Sequence, residues 1–207
     1  MSQYITEFFI IAAVHFFAVA SPGPDFAIIV KQSLTRGRKI ALYTSLGIGT
    51  AIFLHVTYSL LGIGLLIKSD PLYFNILTYI AAAYLFYIGV MSIQAKASQK
   101  SIAVEGHKKT QSFIKAFSTG FLVNGLNVKA TLFFVSVFST VVSQTTPMAV
   151  QAIYGVYMAV ATAIWFSFLS VLLTLPGYQQ KLTEKGHIID RIMGVILIAL
   201  AIKIVVG

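Results

Sequence analysis

The run Ser21-Pro22-Gly23-Pro24-Asp25 interrupts a hydrophobic stretch that extends from about Tyr4 to Val30. Both prolines lack the backbone donor a helix needs, and Gly23 has the widest backbone freedom, so a continuous helix through this point is not expected. In hydrocarbon, backbone released by such a break has to face protein or a water-filled cavity. A carboxylate beside it is unfavourable without a partner or a function. The coincidence of a break and a charge marks Ser21, Pro22, Gly23, Pro24 and Asp25 as a candidate site.

The surrounding composition defines the medium. With 57% hydrophobic and 10% charged residues and a mean hydropathy of +0.86, the chain reads as an all-α integral membrane protein and not as a soluble globular domain. Its 207 residues accommodate about six transmembrane helices of roughly 20 residues each. They fill the chain as a single transmembrane domain and leave no room for a soluble catalytic module. The net charge of +9 does not call for nucleic acid, because the basic residues lie between the apolar spans, where membrane orientation accounts for them. The absence of cysteine excludes disulfides and thiolate metal sites, and neither a metal nor another cofactor is expected. The stretch Phe8 to Ala20 mimics a secretory signal, but Glu7 precedes it with no lysine or arginine, so it is read as a retained first span.

Outward from the first break, a basic loop with Lys31, Arg36, Arg38 and Lys39 is expected, then a second span over about Ala41 to Ile67. A short loop with Lys68, Asp70 and Pro71 leads to a third span, about Leu72 to Ile93. A polar linker over about 96–112 follows, carrying Lys96, Lys100, Lys108 and Lys109. The apolar stretch Phe113 to Val142 is interrupted in turn, at Asn124-Gly125-Leu126-Asn127-Val128-Lys129. A fifth span is expected over about Met148 to Leu175, then a basic loop with Lys181, Lys185 and Arg191, and a short last span over about Ile192 to Val206.

With six spans, the connections after the first, third and fifth share one face. That face carries 12 of the 15 lysines and arginines, which places it in the cytoplasm and both termini on the outer, periplasmic side. The linker divides the chain into repeats at about 1–95 and about 113–207. Three spans per repeat make the second an inverted copy of the first, and each repeat opens with its interrupted helix. Broken segments at corresponding positions of inverted halves point to a transporter's binding site.

The chemistry of two such breaks suits a zwitterion. A restarting helix offers amide donors and a positive dipole end to an anion, while a stopping helix offers carbonyls to a cation. Asp25 can take an ammonium or carry a proton, and Lys129 can take a carboxylate. Asn124 and Asn127 offer donors and acceptors, and Ser21 adds a hydroxyl. Against this stands a plainer reading in which Asp25 and Lys129 are each other's salt bridge, locking the halves together. His15 and His55 read first as packing histidines and second as proton relays. Trp165 and the phenylalanines read as packing or lipid-facing residues.

At these residues the chain resembles the lysine exporter (LysE/RhtB) family of bacterial amino-acid efflux proteins. Ser21-Pro22-Gly23-Pro24 is similar to the family's signature near the end of the first span, with Arg36-Gly37-Arg38 and Gly47 following. Gly120-Phe121-Leu122-Val123-Asn124-Gly125-Leu126-Asn127-Val128-Lys129-Ala130 resembles its other signature, with Val128 where the family usually has proline. Ser21 to Phe26 and Ser33 to Lys39 look most like the threonine and homoserine exporters. The resemblance implies a proton-driven secondary transporter of the bacterial inner membrane that exports small neutral amino acids. Other amino acids, basic or branched-chain, and a cation are the alternatives on the same fold. A homodimer is a further possibility, since six short spans make a small scaffold. A membrane enzyme fits poorly, because no nucleophile elbow and no metal-binding histidine motif occurs. No phosphate-binding Gly-x-x-x-x-Gly-Lys-Ser/Thr sequence occurs either, so a gradient has to supply the energy.

Overall fold

The computed structural model describes residues 2–21, 23–69, 71–94 and 111–175, with scattered residues between 191 and 206. Among them the regular structure is entirely helical: α1 Ser2–Ala20, α2 Pro24–Arg36, α3 Arg38–Ser69, α4 Pro71–Ile93, α5 Phe113–Gly125, α6 Val128–Thr140 and α7 Met148–Leu172. Three stretches are long and apolar enough to cross a membrane, Gln3–Ala20, Arg38–Gly62 and Met148–Leu172. The bent pair Phe113–Gly125 and Lys129–Thr140, with 58° between its halves, makes a fourth. Expectations for Pro22, Asp70, the 96–112 linker up to residue 110, Lys181 and Lys185 fall outside the described residues. The last span, about Ile192 to Val206, lies mostly outside them as well.

Both expected breaks are present, but the first basic loop is not a loop. Lys31 and Arg36 belong to α2, Arg38 and Lys39 open α3, and Gly37 alone separates the two helices. The chain reverses in one residue because Gly37 takes φ +84°, a left-handed conformation open to glycine at little cost. Its N–H closes α2 on the Gln32 carbonyl at 3.1 Å. Lysine and arginine are good helix formers, so charge alone did not mark where the helices end.

α3 is the central element, packed chiefly against α5 and α7. Its contact with α5 is backbone on backbone. A Cβ on Gly47 would fall 2.0 Å from the Phe117 carbonyl oxygen, and one on Gly120 would fall 2.0 Å from that of Thr44. Small residues at such a crossing allow helices to gain packing that side chains would prevent. On the α7 side, Gly49 meets Ala163 and Gly155 meets Val56. A shared bond between Ser45 Oγ and Ser170 Oγ, 2.9 Å, also joins α3 to α7.

Two apolar clusters fill the interior. One gathers Ile11, Val14, Ile52, Val56, Phe134, Val137 and Met158; the other gathers Ile29, Val30, Ile48, Phe166 and Leu169. Outward faces carry exposed Ile5, Phe9, Ile153 and Ile164. Such faces are unusual for a soluble monomer and suit hydrocarbon. The ends of the two breaks lie between the clusters, where they meet a cavity.

Candidate functional site

The first break is built by chain chemistry and not by a side-chain cap. α1 ends as the Ser21 N–H bonds the Phe17 carbonyl at 3.1 Å. Gly23, extended at φ −168°, caps α2 with no side-chain hydrogen bond, and Pro24 takes the first helical position. Proline suits that position because its missing N–H would have no partner there in any case. Asp25 follows in the first turn, where the positive end of the helix favours a carboxylate.

The second break is capped by side chains. α5 stops at Gly125, and the Asn127 Oδ1 accepts from the Lys129 N–H at 3.0 Å, starting α6. Asparagine is among the strongest N-caps, which explains why α6 starts cleanly with Val128 in place of proline. From α3, His55 Nε2 donates to the Asn124 carbonyl at 3.1 Å. A carbonyl only accepts, so Nε2 carries the proton and Nδ1 accepts from the Tyr58 hydroxyl. His55 is fully buried and stacks on Phe134. It fixes the end of α5, a structural task the sequence did not reveal.

The two breaks meet. Asn124 Nδ2 and Asn127 Nδ2 both donate to Asp25 Oδ2, at 3.0 and 3.1 Å. Lys129 Nζ donates to Ser21 Oγ at 2.8 Å. Carboxylate and ammonium are thus each engaged by a neutral group of the opposite break. Asp25 Oδ1 and Asn124 Oδ1 are buried and have no hydrogen-bond partner among the described residues. Buried acceptors normally have donors, so an unpaired pair calls for an explanation.

Both acceptors belong to residues that line one cavity of about 60 Å³. Ser21, Gly23, Asp25, Asn124, Asn127 and Lys129 contribute to its wall. Pro24, a candidate from the sequence, stands outside the lining, because its ring occupies the exposed first turn of α2. Pro22 lies outside the described residues. The other wall is apolar: Phe26, Phe133, Phe134 and Phe166, which pack in or against the core clusters as the sequence reading expects, also line the cavity with Ile52. His15 and Thr162 also line it, bonded to one another at 3.1 Å. His15 is therefore a cavity residue as well as a packing residue. Thr162 carried no signal in the sequence, where a single threonine in an apolar helix is unremarked.

Broken helices that meet at a cavity with one polar side inside an apolar bundle are the build of a membrane translocator. The chain belongs to the LysE type translocator family, whose profile matches residues 16–207. It is similar to the threonine efflux protein of Salmonella typhi, 28% identical over 203 residues that cover 97% of this chain and 98% of that protein. The threonine efflux protein of Escherichia coli (strain K12) is 28% identical over 207 residues, with the same coverage of 97% and 98%. The leucine efflux protein of Salmonella choleraesuis (strain SC-B67) is also 28% identical, over 197 residues covering 91% of this chain and 89% of that one. No solved structure matches the chain.

Proposed function

We propose that this protein exports a small neutral amino acid from the cytoplasm, in exchange for protons, through the cavity between the two breaks. The observation that carries this reading is the pair of buried acceptors, Asp25 Oδ1 and Asn124 Oδ1, without donors among the described residues and belonging to residues that line the cavity. A primary ammonium supplies three donors to such a pair. Lys129 and Ser21, already bonded to one another, then meet the carboxylate, and the phenylalanine wall takes the side chain. Threonine and homoserine are the proposed class. The aromatic wall, together with the leucine efflux relative, supports leucine as the second reading.

Asp25 serves as the coupling residue in this scheme. It holds the ammonium when ionised and carries a proton on the return. The two repeats, inverted in the membrane with both termini outside, rock about the breaks and expose the cavity to each side in turn. The bacterial inner membrane is the proposed location. Efflux of labelled threonine and leucine from loaded proteoliposomes, with and without an imposed proton gradient, tests the scheme. Gradient-dependent efflux that Asp25→Asn lowers about 10- to 100-fold is the expected result. Efflux by the wild type that ignores the gradient would remove proton exchange, and no efflux of either amino acid would remove the substrate class.

A further inference from the structure

We infer that the His15–Thr162 pair reads a hydroxyl on the side chain of the transported amino acid; this rests on the amino-acid reading of the cavity. His15 Nε2 lies 3.1 Å from Thr162 Oγ1, and both residues line the cavity. The imidazole is ringed by Phe133, Phe134 and Tyr157, with centroids 6.2 to 6.3 Å away. The pair is therefore a polar spot among aromatic rings.

Donor accounting gives the pair its use. A neutral imidazole carries one N–H and a threonine one O–H, and their shared bond consumes one of the two. If Nε2–H donates, the Thr162 O–H is left over. If the hydroxyl donates, His15 Nδ1–H is left over. In either tautomer one donor has no acceptor among the described contacts. The usual outlet for a helical hydroxyl is not in use here. Thr44, Ser45 and Ser170 each bond the carbonyl four residues back, whereas the described partner of Thr162 is His15 alone. One unused donor beside a ring of phenyl groups fits an aliphatic side chain that carries one hydroxyl oxygen. A purely aliphatic side chain, as in leucine or valine, would fill the same wall and leave that donor buried and unpaired, which is unfavourable.

Threonine and valine test this directly, since they differ by a hydroxyl for a methyl. Counterflow of each into proteoliposomes is measured for the wild type, Thr162→Val and Thr162→Ser. The expected result is a threonine-to-valine ratio that falls about 10- to 100-fold in Thr162→Val and recovers in Thr162→Ser. A ratio unchanged in Thr162→Val, or a loss shared equally by both amino acids and not recovered by serine, would overturn the inference while leaving amino-acid transport in place. Wild-type vesicles that move neither amino acid would overturn the amino-acid reading and this inference with it. Thermal stabilisation of the wild type by threonine but not by valine, lost in Thr162→Val, reports binding without transport and guards against a variant that reconstitutes poorly.

Discussion

Among the described residues, Glu7 is buried and Asp25 is part-buried with one buried oxygen, and their surroundings differ. Glu7, 5% exposed, accepts from Gln3 Nε2 at 3.0 Å and from the Ser143 N–H at 3.3 Å. Thr146 Oγ1 lies 2.9 Å from each of its oxygens, and the Tyr154 hydroxyl lies 3.2 Å from Oε2. Asp25 has two amide donors, both on Oδ2, and its Oδ1 has none among the described residues. Glu7 and Ser21 are fourteen positions apart in sequence, about 21 Å at the helical rise. A saturated carboxylate fastens α1 to the α6–α7 connection and to α7. Asp25 instead keeps one oxygen without a described donor, on a residue that lines the cavity. On the proposed function, the comparison teaches that burial alone does not make an acid a binding group; an acceptor without a described donor, on a residue that lines a cavity, does.

The strongest test of that contrast is Asp25→Asn. Hydrogen bonds to charged groups contribute about 1.5–3 kcal/mol, so transport of the favoured amino acid should fall about 10- to 100-fold. The unfolding temperature in detergent should hold or rise, because an incompletely solvated charge is removed from the interior. If Asp25→Asn instead unfolded the protein while transport per folded molecule held, the two carboxylates would be of one kind.

Glu7→Ala is the reciprocal test. It strands the Thr146 hydroxyl and the Ser143 N–H, while the Tyr154 hydroxyl keeps the Tyr4 carbonyl at 2.9 Å and Gln3 is exposed, at a cost of about 3 kcal/mol in stability. Glu7→Gln keeps the shape and part of the bonding and should cost about 1 kcal/mol. Denaturation of purified protein gives both values, and transport per folded molecule should stay within about twofold of wild type on this scale. A large transport defect in a stably folded Glu7→Gln would place Glu7 in the mechanism and dissolve the distinction.

Asn127 joins structure to site, and its two tasks separate by substitution. Asn127→Ala removes the cap of α6 for about 1 kcal/mol, together with one donor to Asp25. Asn127→Ser restores a capping oxygen without restoring an amide to the carboxylate. Stability should recover in the serine variant while transport stays reduced, about tenfold by the worth of one charged hydrogen bond. Recovery of both would reduce Asn127 to a cap.

Much of the site was legible because its markers are local. Pro22, Gly23 and Pro24 forecast a break wherever they fall in an apolar run, and the paired asparagines ahead of Lys129 forecast another. That Ser21, Gly23, Asp25, Asn124, Asn127 and Lys129 share a cavity followed from treating the breaks as partners. What escaped the sequence depends on long-range pairing. Glu7 reads as a stray acid near the N-terminus until Thr146, 139 residues away, is folded against it. Thr162 and His15, 147 residues apart, gain meaning only from each other. The phenylalanine wall did not stand out because the phenylalanines of α6 and α7 are spread among other apolar side chains, so no periodicity distinguishes a residue facing lipid from one facing a cavity.

The smallest expected effect concerns Gly23, which the sequence presented as essential to the first break. Its φ of −168° is extended backbone that any residue adopts, and a Cβ there would lie 3.7 Å from Lys129 Nζ, an ordinary contact. Conformation therefore does not demand glycine at this position, in contrast to Gly37 with its φ of +84° or Gly120 with a carbonyl 2.0 Å from any Cβ. Gly23→Ala should change stability by no more than about 0.5 kcal/mol, since the loss of unfolded-state freedom offsets the added contact. A cost above about 2 kcal/mol in the same denaturation assay would show that the glycine is required by what lies beside it, and that the first break is as tightly specified by its neighbours as the second is by Asn127.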